Sequence, residues 1–332
     1  MQRSHFFGLA AALLLAGCTP KTPHEGSLGK APRETLEVGF LPVTCHLTCP
    51  VTAFASETTT TGTIFESRRF TDWPTVADAL RTGALKATFM IAPMAMKLKA
   101  DGVPCKIVYL GHRDGSTVMV RKDDPAKSLA DLKGRTIAIP SKFSNQYLVI
   151  HKLMEDQGLK EGDLKFIEMP PPDMPTALAQ KSIDAYFVGE PHAAKAELDG
   201  TGRVLYHAKD IWPRFISCVL VVRDDLAKDK PEVVRDLVRG IAESGEWAEM
   251  HRSEAAKVAA PKFKQKEELL KFVLNDPGRV SYRQLTPTDP EMQTIMDMAV
   301  KTGIIKATMP LKDILDRSFI PEKIEAAKID VK

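Results

Sequence analysis

The chain has 332 residues, 44% of them hydrophobic and 27% charged, which is the make-up of an ordinary globular protein. At roughly 150 residues per domain there is room for two. A net charge of +3, with no basic stripe carrying interleaved aromatics, gives no footing for a nucleic-acid partner.

The first element stands outside the fold. In MQRSHFFGLAAALLLAGCTP, Arg3 precedes an apolar run over 6–15, and small residues lead into Cys18. That run is too short to span a bilayer as a mature helix and has the shape of a secretory signal. Leu15-Ala16-Gly17-Cys18 resembles the bacterial lipobox, which implies cleavage ahead of Cys18 and lipid on its thiol. Residues 1–17 are therefore expected to be a lipoprotein signal peptide and 18–35 a flexible tether. The mature chain is expected to be extracytoplasmic, monomeric and anchored to a bacterial membrane through Cys18.

From Leu36 onward short β runs alternate with helical stretches. LEVGFL, KATFMIA, KIVYL, TVMVR, RTIAIP, LKFIEM, IDAYFV, RVLYH and CVLVVR are brief, apolar and rich in Val, Ile, Phe or Tyr. PTVADALRTG and SNQYLVIHKLMEDQGL carry helical spacing between them. This alternation predicts an α/β fold built on mainly parallel sheets. From Pro231 to Lys332 the pattern reads as helical throughout, with breaks near Pro261, Pro277-Gly278, Pro287 and Pro310.

The α/β part contains an internal echo. ALRTGALKATFMIAPMAMK (79–97) aligns without a gap on ALAQKSIDAYFVGEPHAAK (177–195), so that Ala87 meets Ala185, Phe89 meets Phe187 and Pro93 meets Pro191. Asp72-Trp73-Pro74-Thr75 repeats as Asp173-Met174-Pro175-Thr176, and STVMVRKDD (116–124) as SCVLVVRDD (217–225). Each copy reads as capped helix, strand, Pro turn, helix. The layout expected is lobe one over 36–120, lobe two over 121–219, and a mostly helical return to lobe one over 220–332. Residues 118–121 and 219–222 would lie side by side as the hinge. The turns at Ala92-Pro93 and Gly189-Glu190-Pro191 fall at carboxyl ends of strands, where open α/β sheets bind ligands.

GFLPVTCHLTCPVT, ATFMIAPMAMKLKADGVPCKIVYLGHRDG, LKGRTIAIPSKFSNQYL and PPPDMPTALAQKSIDAYFVGEPHAAKA resemble the substrate-binding proteins of ABC importers. The nearest branch is the nitrate/sulfonate/bicarbonate group, also known as NMT1/THI5-like. The resemblance runs over about 36–251. It implies a type II periplasmic-binding-protein fold, a small ligand held between two lobes, and permease and ATPase partners. It also places Glu190 of Gly-Glu-Pro in the cleft, against ligand or a companion metal ion. No cofactor is otherwise expected. His192 stands where those relatives carry an aromatic, so nitrate, bicarbonate, a sulfonate and a pyrimidine or thiamine precursor all stay open. A ligand-sensing lipoprotein is the alternative role.

Further ligand-binding candidates come from strand ends. Thr44 and His46 follow the first strand, Pro93 and Met94 the turn after the third, and His112 and Arg113 the run KIVYL. Ser141, Ser144, Asn145 and Gln146 lie between TIAIP and a helix, where Ser144 serves equally as a cap or as part of an anion site. Arg113 suits an anion, or a salt bridge with Asp114. Trp212 reads as core packing. Cys45-His46-Leu47-Thr48-Cys49 has soft-metal chemistry, with His112 and His192 to complete a set. In an oxidising compartment a Cys45–Cys49 disulfide or free thiols come first. Cys105 and Cys218 read as buried small hydrophobes. Gly-x-Ser-x-Gly, phosphate-loop and His-Glu-x-x-His motifs are all lacking, so an enzyme is not expected.

Overall fold

The computed structural model describes residues 33–331, so the signal segment, Cys18 and most of the expected tether lie outside the described residues. Its strands are β1 (Thr35–Phe40), β2 (Ile64–Arg69), β3 (Ala87–Met90), β4 (Cys105–Leu110), β5 (Arg113–Asp114) and β6 (Ser116–Arg121). They continue as β7 (Thr136–Ile139), β8 (Lys165–Glu168), β9 (Ala185–Gly189), β10 (Gly202–His207), β11 (Val219–Arg223) and β12 (Val280–Ser281). One five-stranded sheet has the order β2-β1-β3-β11-β4, the other β8-β7-β9-β6-β10. Position by position these are one topology. In each, the fourth strand, β11 or β6, runs antiparallel to both neighbours. It is also the strand that has just arrived from the other lobe. The two lobes read from the echo and the type II α/β fold that the resemblance implies are therefore present, and the aligned segments occupy equivalent places.

The hinge is displaced from its expected position. Residues 118–121 lie within β6 in the second sheet and 219–222 within β11 in the first, so they do not pair with each other. The crossings that run side by side are 111–114 and 215–218. Gly111 N–H donates to the Cys218 carbonyl at 2.8 Å and Asp114 N–H to the Phe215 carbonyl at 2.8 Å. Arg113 and Ile216 form an isolated antiparallel bridge. The apolar stretches are drawn into the sheets, which leaves GHRDG and the polar approach to Cys218 to cross between lobes. Lobe two accordingly begins at β6, ahead of residue 121. Only glycine fits at 111, because a Cβ there would meet the Cys45 carbonyl oxygen at 2.1 Å.

Helices cover both faces of the second sheet at its centre, which is why β6, β7 and β9 are largely buried and mostly apolar. Val118, Val120, Ile137 and Phe187 pack on one face with Val149 and Ile150 of the helix Asn145–Asp156. Met119, Ala138, Tyr186 and Val188 pack on the other with Met174 and Leu178. The first sheet shares one larger core with the C-terminal helices, through Val234, Leu237 and Ile241 of Pro231–Met250 and Phe263 of Arg252–Phe263. Leu148 and Ala194 of lobe two join this core across the seam.

Two expectations fail here. The sequence reading omits β2, because IFESRR is charged; among the described residues β2 is an edge strand that pairs only with β1. Edge positions favour such charge. The C-terminal part is also not helical to its end. Beyond Leu311–Ile314 the chain runs irregularly, with Phe319 buried in the large core and Ala327 N–H donating to the Glu243 carbonyl.

Candidate functional site

The seam between the lobes centres on the turn after β9. Glu190 is fully buried, and its peptide bond to Pro191 is cis. Its backbone N–H donates to the Gly115 carbonyl at 2.8 Å, and its carbonyl accepts from Thr44 N–H of lobe one at 2.7 Å. One carboxylate oxygen accepts from Ala194 N–H at 2.8 Å, in the first turn of the helix His192–Leu198. The other accepts from Arg279 Nη1 at 2.9 Å and lies 3.5 Å from the Thr117 hydroxyl. Glu190 is thus both a helix-start acceptor and half of an inter-lobe ion pair. Arg279 shares its second Nη with Glu197, at 2.8–2.9 Å. Burial raises the Glu190 carboxyl above its usual range, and Arg279 and the Ala194 N–H only partly offset that. Burial works against the Arg279 charge, but Glu190 and Glu197 together hold its pKa above normal.

His192 closes the same seam. Its Nε2 lies 3.1 Å from the Pro42 carbonyl, so that nitrogen carries the proton. Burial brings the ring's pKa down to about 4. On the lobe-one side the short turn Thr44–His46 is held from several directions. Thr44 Oγ1 is 2.8 Å from His112 Nε2, and the Tyr282 hydroxyl donates to the Thr44 carbonyl at 2.8 Å. His112, also lowered to about 4 by burial, lies edge-on to Tyr282. His46 Nδ1 accepts Leu41 N–H at 2.7 Å, and its ring packs between Phe89 and Trp73.

The remaining candidates divide. Asn145 Nδ2 donates to the Ser217 carbonyl at 3.2 Å and Gln146 Nε2 to Ser116 Oγ at 3.0 Å, so both brace the hinge. Asn145 Oδ1, Gln146 Oε1, His46 Nε2 and His112 Nδ1 are buried without a hydrogen-bond partner. Ser144 caps its helix by accepting Tyr147 N–H at 3.1 Å, and Ser141 binds Glu168 at 3.3 Å. Pro93 and Met94 begin the helix Ala92–Ala100 and are buried, Met94 in the lobe-one core. Arg113 does not pair with Asp114. Its two Nη atoms grip Glu291 at 2.9 and 3.2 Å, and further donors reach the Gln284 and Arg214 carbonyls. An anion role for Arg113 loses its basis, since those donors are spent.

Sequence reasoning missed Arg279, Glu197 and Tyr282. NDPGRVSY carries a turn signal at Pro277-Gly278, but nothing in it points to a carboxylate 89 residues upstream. The cysteine reading also needs correction. Cys49 lies in the helix Thr48–Thr58 and directs its sulfur toward the Val38 carbonyl, so it does not pair with Cys45. The Cys45 sulfur instead lies 2.7 Å from that of Cys218. Cys45 Sγ, a ring nitrogen of His46 and Cys218 Sγ are all within 4.8 Å of one another. His112 and His192 do not belong to that set.

The profile of the NMT1-like family matches residues 29–261, and the chain belongs to that family. A Brucella abortus protein named only for binding is 26% identical over 256 residues, which cover 75% of this chain and 79% of that one. The ligand-binding component of an ABC-type import system from Staphylococcus aureus, solved with zinc bound, superposes with a TM-score of 0.79 at 26% identity. It covers 87% of this chain and 99% of its own. The periplasmic nitrate-binding protein of Synechocystis shares the fold, with a TM-score of 0.77 at 16% identity over 86% of this chain and 87% of that one.

Proposed function

For this member of the NMT1-like family we propose the role of an extracytoplasmic, lipid-anchored solute-binding protein that passes a small ligand to the permease and ATPase of an ABC importer. One observation carries the reading. Two sheets of identical strand order, joined by adjacent crossings, meet at the carboxyl-end turns that hold Thr44 and Glu190. Such a body opens and closes about its crossings. Opening separates Thr44 from Glu190, His192 from Pro42 and Arg279 from Glu190. A ligand that takes the lobes from mostly open to mostly closed must favour the closed form by about 5.5 kcal/mol. Micromolar binding corresponds to about 8 kcal/mol, so a modest site suffices.

The state of the arginines bears on ligand class. Arg113 is committed to Glu291, and Arg279 to Glu190 and Glu197. Around the seam and hinge the buried atoms without a hydrogen-bond partner include Asn145 Oδ1, Gln146 Oε1, His46 Nε2 and His112 Nδ1, together with the Nε of Arg69 and of Arg279. Mixed donors and acceptors suit a compact polar heterocycle better than a bare anion. Nitrate or bicarbonate is the second reading, favoured by the nitrate-binding fold neighbour. Relatives named for binding, the Brucella abortus protein among them, favour binding over catalysis.

The test is a thermal-shift screen of the purified protein over pyrimidines, nitrate, bicarbonate, sulfonates and metal ions, since a ligand of the folded state raises Tm by mass action. A response to a pyrimidine without one to nitrate supports the heterocycle. A nitrate response alone replaces it with the anion. If no compound shifts Tm and small-angle scattering shows one rigid shape, the binding role fails. Cys18→Ser is expected to release the mature chain from the membrane fraction.

A further inference from the structure

Cys45 lies in the turn that meets lobe two, and Cys218 ends the return crossing just ahead of β11. They are 173 positions apart in sequence, yet their sulfurs are 2.7 Å apart and both residues are buried. Their backbones are neighbours too. Gly111 N–H bonds the Cys218 carbonyl, and a Cβ on Gly111 would strike the Cys45 carbonyl. Nothing needs to move far for the two sulfurs to join.

A soft metal is the competing occupant, since two thiols and an imidazole have the right ligand chemistry. The His46 tautomer opposes it. Nδ1 accepts the Leu41 N–H, so in the neutral ring Nε2 carries the proton and has no lone pair to offer a cation. That N–H instead favours negative charge on a nearby sulfur. Burial alone would raise the Cys45 thiol, but its hydrogen bond with Cys218 and the His46 ring outweigh burial and leave it well below the usual range. Cys218 is pushed well above, by burial and by the neighbouring Cys45. A thiolate beside a thiol is the arrangement from which exchange proceeds.

We propose that Cys45 and Cys218 form a disulfide that ties the seam turn Thr44–His46 to the hinge. In the cell this rests on the export part of the proposed function, because disulfides persist in oxidising compartments. The chemistry balances with a disulfide oxidant of low molecular mass. The Cys45 thiolate attacks one oxidant sulfur, forms a mixed disulfide and releases a thiolate. Cys218 gives up its proton to that thiolate, and its sulfur then attacks the Cys45 sulfur and expels the second thiolate, which takes a proton from water. Two electrons pass to the oxidant, and the two thiols lose two protons, that of Cys45 to water on ionisation and that of Cys218 to the first leaving thiolate. Because both sulfurs are buried, the exchange belongs to late folding or to the open lobes. The closed loop contains the whole of lobe two, so the bond holds lobe one together across its insertion.

The test refolds the reduced full chain in a glutathione redox buffer, which makes the result independent of where the cell keeps the protein. After denaturation and alkylation without reductant, peptide mass spectrometry is expected to find label at Cys49 and Cys105 and a cross-linked Cys45–Cys218 peptide. Label at both Cys45 and Cys218 overturns the proposal. So does a native protein that holds stoichiometric metal and yields both thiols on denaturation with a chelator. Reduction is expected to lower Tm by about 5–10 °C, given the long loop. Cys45→Ser/Cys218→Ser should show no response to reductant, and Cys49→Ser should respond like wild type. An unchanged wild-type Tm would show that the bond ties nothing. A failed ligand screen would leave each of these results standing.

Discussion

Ala92-Pro93-Met94 and Glu190-Pro191-His192 occupy matching places in two copies of one unit, each between a strand and a helix, although the Glu190–Pro191 bond is cis and the helix there starts two positions later. In lobe one the turn is apolar, and Ala92 and Met94 go into the large core. In lobe two the first and third positions carry a carboxylate and an imidazole, and both reach across to the other lobe. Identical topology thus supports unequal duties. One turn completes a core, and the other makes a polar seam that, under the proposed function, comes apart for a ligand to enter. The cost of polarity is borne only where motion needs it, because polar partners can exchange for water on opening whereas a packed core cannot.

The sharpest way to break that contrast is at the ion pair. Glu190→Ala leaves buried Arg279 with Glu197 and, at 3.6 Å, Asp276, and breaking a buried pair costs about 3–5 kcal/mol. Urea unfolding is expected to show that loss, while Glu190→Gln, which can still accept from Ala194 N–H, should lose less. A loss below about 1 kcal/mol for Glu190→Ala would mean the pair is not what holds the seam.

Acid should act on the same seam. His112 and His192 titrate near 4 in the folded chain against about 6.5 unfolded, so below 6.5 the unfolded state binds protons that the native state refuses. Stability is fully present above pH 6.5 and declines as pH falls toward 4, by at most about 3 kcal/mol per ring. His151 and His207 are lowered by burial as well and act in the same direction. Glu190, raised by burial, acts oppositely and loses stability as pH climbs through its folded value. His192→Asn is expected to flatten the Tm profile between pH 4 and 6.5; an unaltered slope would assign the dependence to other groups. The hinge offers a smaller perturbation. Gly111→Ala puts a methyl against the Cys45 carbonyl and should cost about 1–3 kcal/mol by overpacking.

The architecture was legible because the echo is carried by buried strands, where apolar identity is enforced on both faces. Ala87 and Ala185, or Phe89 and Phe187, align since they fill equivalent core positions. What escaped was set by long-range pairing. Nothing near Arg279 specifies Glu190, and nothing near Cys45 specifies Cys218, because a side chain's partner across 89 or 173 residues is chosen by the fold. Local spacing misled for the same reason. Cys45 and Cys49 look like a pair only if the turn and the helix that follow Pro42 are ignored. The β2 edge escaped because charge that protects an edge also hides a strand.

The smallest effect divides the lobes most cleanly. Asp72 and Asp173 open the matching Asp-x-Pro-Thr tetrapeptides of the two copies, and both precede a helix with an early proline. Asp72 is extended and accepts Thr75 N–H at 2.9 Å, a working N-cap. Asp173 has helical dihedrals, because a 3-10 turn over Pro171–Asp173 leads straight into its helix, and its side chain makes no capping bond. Asp72→Ala is therefore expected to cost about 1 kcal/mol in denaturant unfolding. Asp173→Ala should leave the midpoint where it is, since there is no cap to remove. Equal losses at both would mean that the second aspartate caps after all, and that the copies are more alike in their helix starts than in their turns.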